Sequence, residues 1–381
     1  MHPSWGHIPA RPNWHRPRNA EKLTKRSICI KSLKFTSCGC GLVSRTTMVL
    51  HGPRKHVCWN HPERCFSLSA VINWIYQADD REHDSALQFE ESLSKRYLPL
   101  AQKAGFDFRI LQAGEIITSC LGGPVLRYRG EDLLSTRQCY IAEDLSRRPQ
   151  GLQHMRAIYR TIYSSDSVLL NRSISGPDYL ERDKLALLQH AAGLGVPTLK
   201  TISVPAEKYA RRVIPEVRCY LGNGPYIVKP RELGMGVGVL KIETDQQLET
   251  AIDIVSTTGT GYIVQPFLPH SADMRVFVVD GRVVTSLSRK PRPGGYLASI
   301  SQGGSLEVND DHLQVEEWCN TVAESLNAEF LCIDWLMTDS GPILNEWSTA
   351  SAGFTVLPEP QLTLLADAFF GWIKRKFEEG N

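Results

Sequence analysis

The sequence predicts an α/β fold for the first part of the chain after residue 66 and an α+β fold for the part that follows it. Residues 70–76 are an apolar run typical of a strand, a helical pattern continues to Gly105, and a second strand is predicted at 108–111. This βαβ order is the usual beginning of a parallel sheet. Farther on, turn residues at 280–281 and 339–341 each separate two apolar runs, which indicates antiparallel hairpins.

The remaining elements follow from the same period-2 and period-3.6 patterns. Glycine commonly ends helices, and the first helix is therefore predicted to end at Gly105. Further strands are predicted at 125–128, 167–171, 198–204, 226–229, 238–242, 262–265, 274–279, 283–287, 330–338 and 342–348. Further helices are predicted at 150–162, 179–192, 246–256 and 362–377. We find no internal repeat.

Composition is that of an ordinary globular protein, with 42% hydrophobic and 22% charged residues in 381 positions. This length favours two or three domains. No apolar run approaches the ~20 residues of a membrane span, and the amino terminus lacks the apolar core of a secretory signal. Ten scattered cysteines suggest reduced thiols in a cytoplasmic protein. Beyond residue 66 the chain is mildly acidic, which argues against nucleic acid as a partner.

Residues 1–66 carry 12 lysines and arginines against two glutamates and show no sustained periodicity. We interpret them as a disordered basic extension, or as the product of an upstream start codon with the true beginning near Met48 or Val71. A zinc site is the less favoured alternative, because no pair of cysteines has the required spacing with a matching second half. Its candidate ligands are Cys29, Cys38, Cys40, Cys58, Cys65, His51, His56 and His61.

The hairpin 330–348 brings two carboxylates together by register. If Thr338 lies opposite Pro342, then Asp334 lies opposite Glu346, and the same count pairs Cys332 with Ser348. At ~5 Å and an effective dielectric of ~20, the repulsion between the two carboxylates is about 3 kcal/mol. A cation is therefore expected between them, and a divalent ion with oxygen ligands is the natural candidate. A register slip, or two carboxylates on a wet face, is the ordinary alternative.

A glycine-rich segment with Gly234, Gly236 and Gly238 lies between two predicted strands. It is therefore neither a dinucleotide fingerprint nor a P-loop. Alternating glycines can form a flap whose N–H groups approach phosphate oxygens, although a plain flexible turn has the same composition. Lys229, just before the flap, and Lys184, early in a helix, could each reach a phosphate or lie along the surface.

Two further sets of residues are candidates for binding. Residues 265–268 leave a strand as a short link that offers main-chain groups to a base, or merely connects two domains; they are Gln265, Pro266, Phe267 and Leu268. Arg275 begins one strand, and Arg289, Lys290 and Arg292 follow its partner. Arginines near a carboxylate-bound cation can neutralise a transferring phosphoryl group, although such clusters are more often only solvated.

The order of these motifs resembles that of the ATP-grasp ligases, in the branch of RimK-like proteins and glutathione synthetases. The resemblance covers about residues 167–381. It is carried by the stretches 182–188, 195–198, 226–238, 263–267, 273–281, 302–304, 333–334 and 345–346. It implies an ATP-grasp fold, in which a Rossmann-like pre-ATP-grasp domain precedes two α+β lobes that clasp ATP. It indicates little about the substrate.

The resemblance also implies roles for single residues. Lys184 and Lys229 would contact phosphate, residues 265–268 would bind adenine, and Asp273 would lie near the ribose. Asp334 and Glu346, with Ser348 as the third candidate ligand, would hold one or two Mg²⁺ ions, with Mn²⁺ as a substitute. Our candidates for stabilising the transferring phosphoryl group and the acyl phosphate are Arg275 and Arg289. The glycines 234, 236 and 238 would cover the phosphates.

This chain departs from the family pattern at three points. Ser348 stands where relatives usually have asparagine, and a hydroxyl is the weaker metal ligand. Leu297 and Ser299 stand where an arginine and an asparagine often precede the paired glycines, and Arg292 is a candidate substitute. Pro266 stands in the adenine linker where relatives often have an acidic residue.

The expected function is ATP-dependent ligation of a carboxylate to an amine through an acyl phosphate, with release of ADP and phosphate. The alternative is a nucleotide-binding relative without ligase activity. Substrates would be small molecules or peptides, and a homo-oligomer is left open. The expected domains are a basic extension at 1–66, a pre-ATP-grasp domain at 67–176, an amino-terminal lobe with the flap at 177–268 and a carboxy-terminal lobe with the metal site at 269–381.

Overall fold

The structure is a computed structural model and describes residues 70–77, 83–142, 148–171, 183–234, 236–293, 295–296, 298, 304–308, 311–348 and 357–379. The basic extension, its zinc hypothesis, Leu297 and Ser299 lie outside these residues. The strands are β1 Val71–Tyr76, β2 Asp107–Gln112, β3 Ile116–Cys120, β4 Pro124–Tyr128, β5 Glu131–Asp132, β6 Cys139–Ala142, β7 Val168–Leu169, β8 Ile202–Ser203, β9 Tyr226–Pro230, β10 Leu240–Ile242, β11 Tyr262–Pro266, β12 Ala272–Val279, β13 Arg282–Lys290, β14 Ser305–Glu307, β15 Phe330–Thr338 and β16 Gly341–Ser348. The helices are α1 His83–Lys103, α2 Pro149–Tyr163, α3 Lys184–Gly193, α4 Val213–Leu221, α5 Asp245–Val255, α6 Glu316–Ser325 and α7 Gln361–Glu378.

The first layer is a parallel sheet in the order β2-β1-β6-β7. Its βαβ opening agrees with the sequence prediction, because β1 and β2 run parallel and α1 connects them. The helix ends before Gly105, which adopts φ +86° and turns the chain into β2. A small antiparallel sheet, β3-β4-β5, follows. Neither β3 nor β6 was predicted, because both are short and lack strict alternation.

The second sheet is antiparallel, in the order β10-β9-β11-β8. Helices α4 and α5 pack against it around Val217, Val228, Leu248 and Val264. α5 begins at a capping box in which Thr244 accepts from the backbone N–H of Gln247 and the Gln247 side chain accepts in return. The predicted strand 198–204 is reduced to the two residues of β8.

The third sheet is antiparallel, in the order β14-β13-β12-β15-β16. One face packs on α3 and α6 through an apolar core with Val276, Ile333 and Trp335. The opposite face carries Arg275 and Asp334, which are paired across β12 and β15, and also the apolar residues Phe277 and Phe330. Two short hairpins build this sheet, and the one at Asp280 and Gly281 has both residues at positive φ, as its Asp-Gly sequence predicts.

The carboxy-terminal helix α7 packs in a core shared by the first and third sheets. It contributes Leu365, Phe369, Phe370 and Ile373, and this core also contains Trp74 from β1. The described residues contain no helix that is long and apolar enough to cross a membrane.

Candidate active site

The carboxylate hairpin has the predicted pairs but not the predicted turn. Thr338 pairs with Gly341 rather than with Pro342, so the turn has two residues. Asn345 is then an extra residue in β16, a β-bulge that shifts the register by one. Beyond the bulge, Asp334 pairs with Glu346 and Cys332 with Ser348. The predicted cross-strand carboxylate pair is therefore present, although the turn from which it was counted was wrong by one residue.

Asp334 is neutralised by two arginines. It is 2% exposed, and Arg275, its partner across β12 and β15, donates from Nε to Oδ1 at 2.7 Å and from Nη2 to Oδ2 at 2.8 Å. Arg289 donates to the same Oδ2 at 2.8 Å. Burial by itself would raise the pKa of Asp334, but the two guanidinium groups hold this pKa well below its usual range. Asp334 is thus ionised at any physiological pH.

Asp273 completes this arginine cluster, which we define as Asp273, Arg275, Arg289 and Asp334. It lies across from Arg289 in the β12–β13 ladder and accepts a hydrogen bond from Arg289 Nη2 at 2.8 Å. Burial raises the pKa of Asp273, against the attraction of Arg289. Among the described residues, Arg289 Nε has no acceptor although it is buried. In the part of the chain that the structure describes, the cluster is therefore a buried ion network that leaves a donor of Arg289 available.

The second group of charges, which we call the lysine cluster, comprises Lys184, Lys229 and Glu346. Lys184 Nζ lies 3.5 Å from Glu346 Oε2 and donates to the carbonyl of Leu233 at 2.6 Å. Lys229 is 7% exposed, and its Nζ donates to Asn345 Oδ1 at 3.1 Å. Burial lowers the pKa of Lys229 to about 8; the charge of Glu346 opposes this shift and that of Lys184 adds to it.

The start of α3 fixes the base of Lys184. Asp183 is the N-cap residue and accepts from the backbone N–H of Leu185 at 3.0 Å. The same carboxylate forms an ion pair with Arg231, whose Nε donates to it at 3.0 Å. The backbone N–H of Lys184 in turn donates to the carbonyl of Arg231 at 3.0 Å. Helix α3 is thereby tied to the end of β9, beside the glycine flap.

The flap occupies residues 231–239 between β9 and β10, two strands as predicted. Gly236 and Gly238 adopt φ +73° and +71°, where other residues are strained. At Gly238 a Cβ would also lie 2.9 Å from Cγ of Pro230, whereas at Gly234 it would meet nothing within 4 Å. Gly238 is therefore required by the fold, while Gly234 leaves open space on the flap.

The linker after β11 uses several of its polar groups within the protein. Gln265 is 1% exposed and its Nε2 donates to Thr201 Oγ1 at 2.8 Å. The N–H of Phe267 donates to the carbonyl of Pro225 at 2.8 Å, and His270 Nδ1 donates to the carbonyl of Leu268 at 2.9 Å. Pro266 is the last residue of β11. The Phe267 ring carries Lys241 Nζ at 4.3 Å from its centroid. The main-chain groups expected to face a base are thus partly occupied.

The residues of the hairpin fit Mg²⁺ in the type of atom they offer. Glu346, with a side chain 34% exposed, provides an accessible carboxylate, and Ser348 stands two residues farther along the same strand. Asp334 faces Glu346 across the ladder, but arginines already bind both of its oxygens. The described residues contain no group of three acidic, histidine or cysteine side chains placed as a metal site.

Positively charged side chains of the protein therefore contribute to offsetting the carboxylate repulsion. The electrostatic argument from the hairpin overlooked two cationic partners: the strand opposite Asp334 supplies Arg275, and the next strand supplies Arg289. The metal site stays a prediction. Asp273 lies in this arginine cluster with Asp334 rather than with the linker residues. Sequence analysis also missed Asn345, for which the only available signal was the two-residue turn.

Comparison with known proteins finds a similarity over the part of the chain that contains the site. The family described as "RimK-like ATP-grasp domain" matches residues 181–360. A probable alpha-L-glutamate ligase of Shewanella halifaxensis is 29% identical over 227 residues, 58% of this chain and 47% of the relative. A probable alpha-L-glutamate ligase of Methanococcoides burtonii is 27% identical over 262 residues, 66% of this chain and 82% of the relative. The chain thus spans about half the length of the first relative.

Solved structures show the same fold. D-alanyl-alanine synthetase A of Vibrio cholerae superposes with a TM-score of 0.60 at 13% identity, over 82% of this chain and 98% of the other. The ATP-grasp ligase PsnB, solved with a minimal precursor, Mg and ADP, superposes with a TM-score of 0.53 at 16% identity, over 80% of this chain and 98% of the other. The predicted ATP-grasp architecture is thereby confirmed.

Proposed function

Residues 181–360 form a RimK-like ATP-grasp domain, and from this premise we propose that the protein is an ATP-dependent carboxylate–amine ligase. It would form an amide bond and release ADP and phosphate. The pre-ATP-grasp domain would be residues 67–176, the amino-terminal lobe 177–268 and the carboxy-terminal lobe 269–381. The free thiols of Cys120, Cys139, Cys219 and Cys319 suit a cytoplasmic location.

The observation that carries this proposal is the meeting of two lysines with a partly exposed carboxylate beneath a glycine flap. Lys184 and Lys229 face Glu346 in a cluster with more positive than negative charge. Such a site attracts the phosphates of a nucleotide, and the open backbone at Gly234 gives them a close approach. The arginine cluster, which shares this hairpin through Asp334, would attract a second anion, the substrate carboxylate.

The chemistry proceeds by two displacements. A carboxylate oxygen of the substrate attacks the γ-phosphorus of ATP, the bond from that phosphorus to the β–γ bridging oxygen breaks, and ADP leaves. The amine nitrogen then attacks the acyl carbon, the bond from carbon to the phosphate oxygen breaks, and the nitrogen loses a proton. Both steps need charge stabilisation rather than a protein nucleophile. Lys184 and Lys229 would hold the phosphates, and Arg275 and Arg289 would stabilise the transferring group.

A divalent ion would assist by neutralising the phosphates. Glu346 would hold it, with Asp334 and Ser348 as further ligands. Asp334 would have to release one of its arginine contacts to take part. The freed guanidinium group would then be available to the transferring phosphoryl group, which would give the ion network a use in the reaction.

Products of turnover test the proposal directly. The protein is incubated with ATP and MgCl₂ together with glutamate, which the names of the relatives suggest, and then with pools of amino acids and peptides. ADP is quantified and new amides are identified by mass spectrometry. Lys229→Ala serves as the control for contaminating ATPases. We expect ADP and product in equal amounts with at least one pair of substrates.

A nucleotide-binding protein without ligase activity is the second candidate. It is favoured by the serine at 348 and by the saturation of Asp334 with guanidinium groups. Binding of ATP with Mg²⁺, measured by calorimetry, but no ADP above the Lys229→Ala background with any pair would support this candidate and contradict the first.

A further inference from the structure

We propose that Asn345 is a positioning residue, which holds the ammonium group of Lys229 at the phosphate site through a β-bulge in the carboxylate hairpin. The inference rests on the proposed function, because it assumes that Lys229 binds the phosphates of ATP. Asn345 lies outside every set of residues considered as a metal, nucleotide or catalytic group. Its role follows from where the bulge directs its side chain.

The bulge has two effects at once. By adding one residue to β16, it restores the pairing of Glu346 with Asp334, which an unbroken two-residue hairpin would shift. It also leaves Asn345 without a partner of its own in the ladder, since Leu344 pairs with Trp335 and Glu346 with Asp334. Bulged residues are commonly used to redirect a side chain near an active site. Here the redirected side chain reaches β9 of the other sheet.

The contact of Asn345 with Lys229 crosses between two sheets. Asn345 belongs to the third sheet and Lys229 to the second, and their side chains meet at 3.1 Å. The neighbouring residue Leu344 also bonds outside its sheet, because its N–H donates to the carbonyl of Pro197 at 2.8 Å. At the bulge, the hairpin is therefore hydrogen-bonded to Lys229 of β9 and to the carbonyl of Pro197.

A buried lysine needs such a partner if its position is to be fixed. Four methylene groups leave the Nζ of lysine mobile, and burial at 7% exposure removes water as a partner. A neutral amide oxygen orients Nζ without cancelling its charge. A carboxylate at the same place would compete with phosphate for the ammonium group. Asparagine therefore suits a lysine that must stay available to an anion.

The experiment measures ATP affinity by calorimetry, with MgCl₂ present, in a double-mutant cycle. Asn345→Leu keeps the size of the side chain and removes the acceptor, and we expect it to weaken ATP binding about tenfold. In a Lys229→Met background the same change is expected to alter affinity less than twofold. Asn345→Gln, which keeps a neutral acceptor, is expected to recover affinity to within about threefold of the wild type. Asn223→Leu, an exposed loop asparagine, is the matched control.

Three results would overturn the inference. They are unchanged affinity in Asn345→Leu, an equal loss in both backgrounds, and a loss that Asn345→Gln does not recover while its melting temperature matches the wild type. Asn345→Ala replaces the leucine variant if the latter does not fold. Absence of ATP binding in the wild type would instead refute the proposed function, so the two failures are distinguishable.

Discussion

The arginine cluster and the lysine cluster meet at one hairpin, the first through Asp334 of β15 and the second through Glu346 of β16. They differ in the balance of positive and negative charge. In the arginine cluster, two arginines face two aspartates, all largely buried. In the lysine cluster, two lysines face one glutamate. The charges of the first cluster balance, whereas the second cluster has a net positive charge. The difference indicates where a phosphate group adds stability and where it must displace an existing contact.

The largest expected effect is loss of ADP formation when the lysine cluster is broken. Lys229→Ala and Glu346→Ala are each expected to lower turnover at least 10³-fold, since charge stabilisation is the main contribution that the protein makes to phosphoryl transfer. Circular dichroism should be unchanged in both variants. Lys208→Ala, an exposed lysine outside the cluster, is the control. Full activity in Glu346→Ala would refute the metal assignment.

The free energy of unfolding should depend more on the arginine cluster than on the lysine cluster, which is the reverse of the order expected for turnover. Asp334→Asn leaves two buried guanidinium groups short of a counter-charge and is expected to cost about 3–5 kcal/mol of unfolding free energy. Glu346→Gln removes one partly exposed ion pair at 3.5 Å and is expected to cost less than about 1 kcal/mol. Urea denaturation of the two variants and the wild type measures both. Equal losses of unfolding free energy in the two variants would show that the arginine cluster does not stabilise the fold more than the lysine cluster does.

Two glycines of the flap, Gly234 and Gly238, allow a test with smaller expected effects on stability. Gly238→Ala places a Cβ 2.9 Å from Pro230 at a positive φ and is expected to destabilise the fold by about 1–3 kcal/mol. Gly234→Ala meets open space and should change the unfolding free energy by less than about 0.5 kcal/mol. If ATP affinity nevertheless falls in Gly234→Ala, close approach of phosphate to the flap is supported. Unchanged affinity would argue against that approach.

The smallest expected effect is a pH dependence of the lysine cluster. Burial lowers the pKa of Lys229 to about 8, so ATP affinity should fall as the pH rises through this value and the ammonium charge is lost. The ATP-free protein should show the opposite trend in stability. Between pH 8 and about 10.4 the unfolded chain holds a proton that the folded chain has released, so stability rises with pH. Both trends should vanish in Lys229→Met, measured by calorimetry and urea denaturation at matched pH.

Much of this arrangement could be predicted because it depends on local patterns. Turn residues, glycines and periodicity predicted the hairpin at 280–281 and the flap between two strands. The pairing of Asp334 with Glu346 was also predicted. It was reached through a compensating error, since the turn is one residue tighter and the bulge at Asn345 restores the count. A bulge has no reliable signature in a single sequence.

Partners contributed by distant strands could not be predicted. The sequence gives no sign that Arg275 and Arg289 both bind Asp334, because β12 and β15 are separated by more than 50 residues. The same holds for Gln265, which seemed free to face a ligand but donates to Thr201. Long-range contacts of this kind depend on how sheets are assembled, and the resemblance to a family supplied the order of motifs without their pairing.

The helix α7 sets a limit on how this protein can be divided. The ATP-grasp match ends at residue 360, yet α7 begins at Gln361 and buries Phe369 and Phe370 in a core shared with β1. The ring centroid of Phe369 lies 4.7 Å from that of Phe330 of β15, and the ring centroid of Phe370 lies 6.3 Å from that of Phe106. A fragment trimmed to the family boundary would therefore expose aromatic surface on the first and third sheets and tend to aggregate. Any engineered transfer of this region to another host protein therefore has to include the final helix.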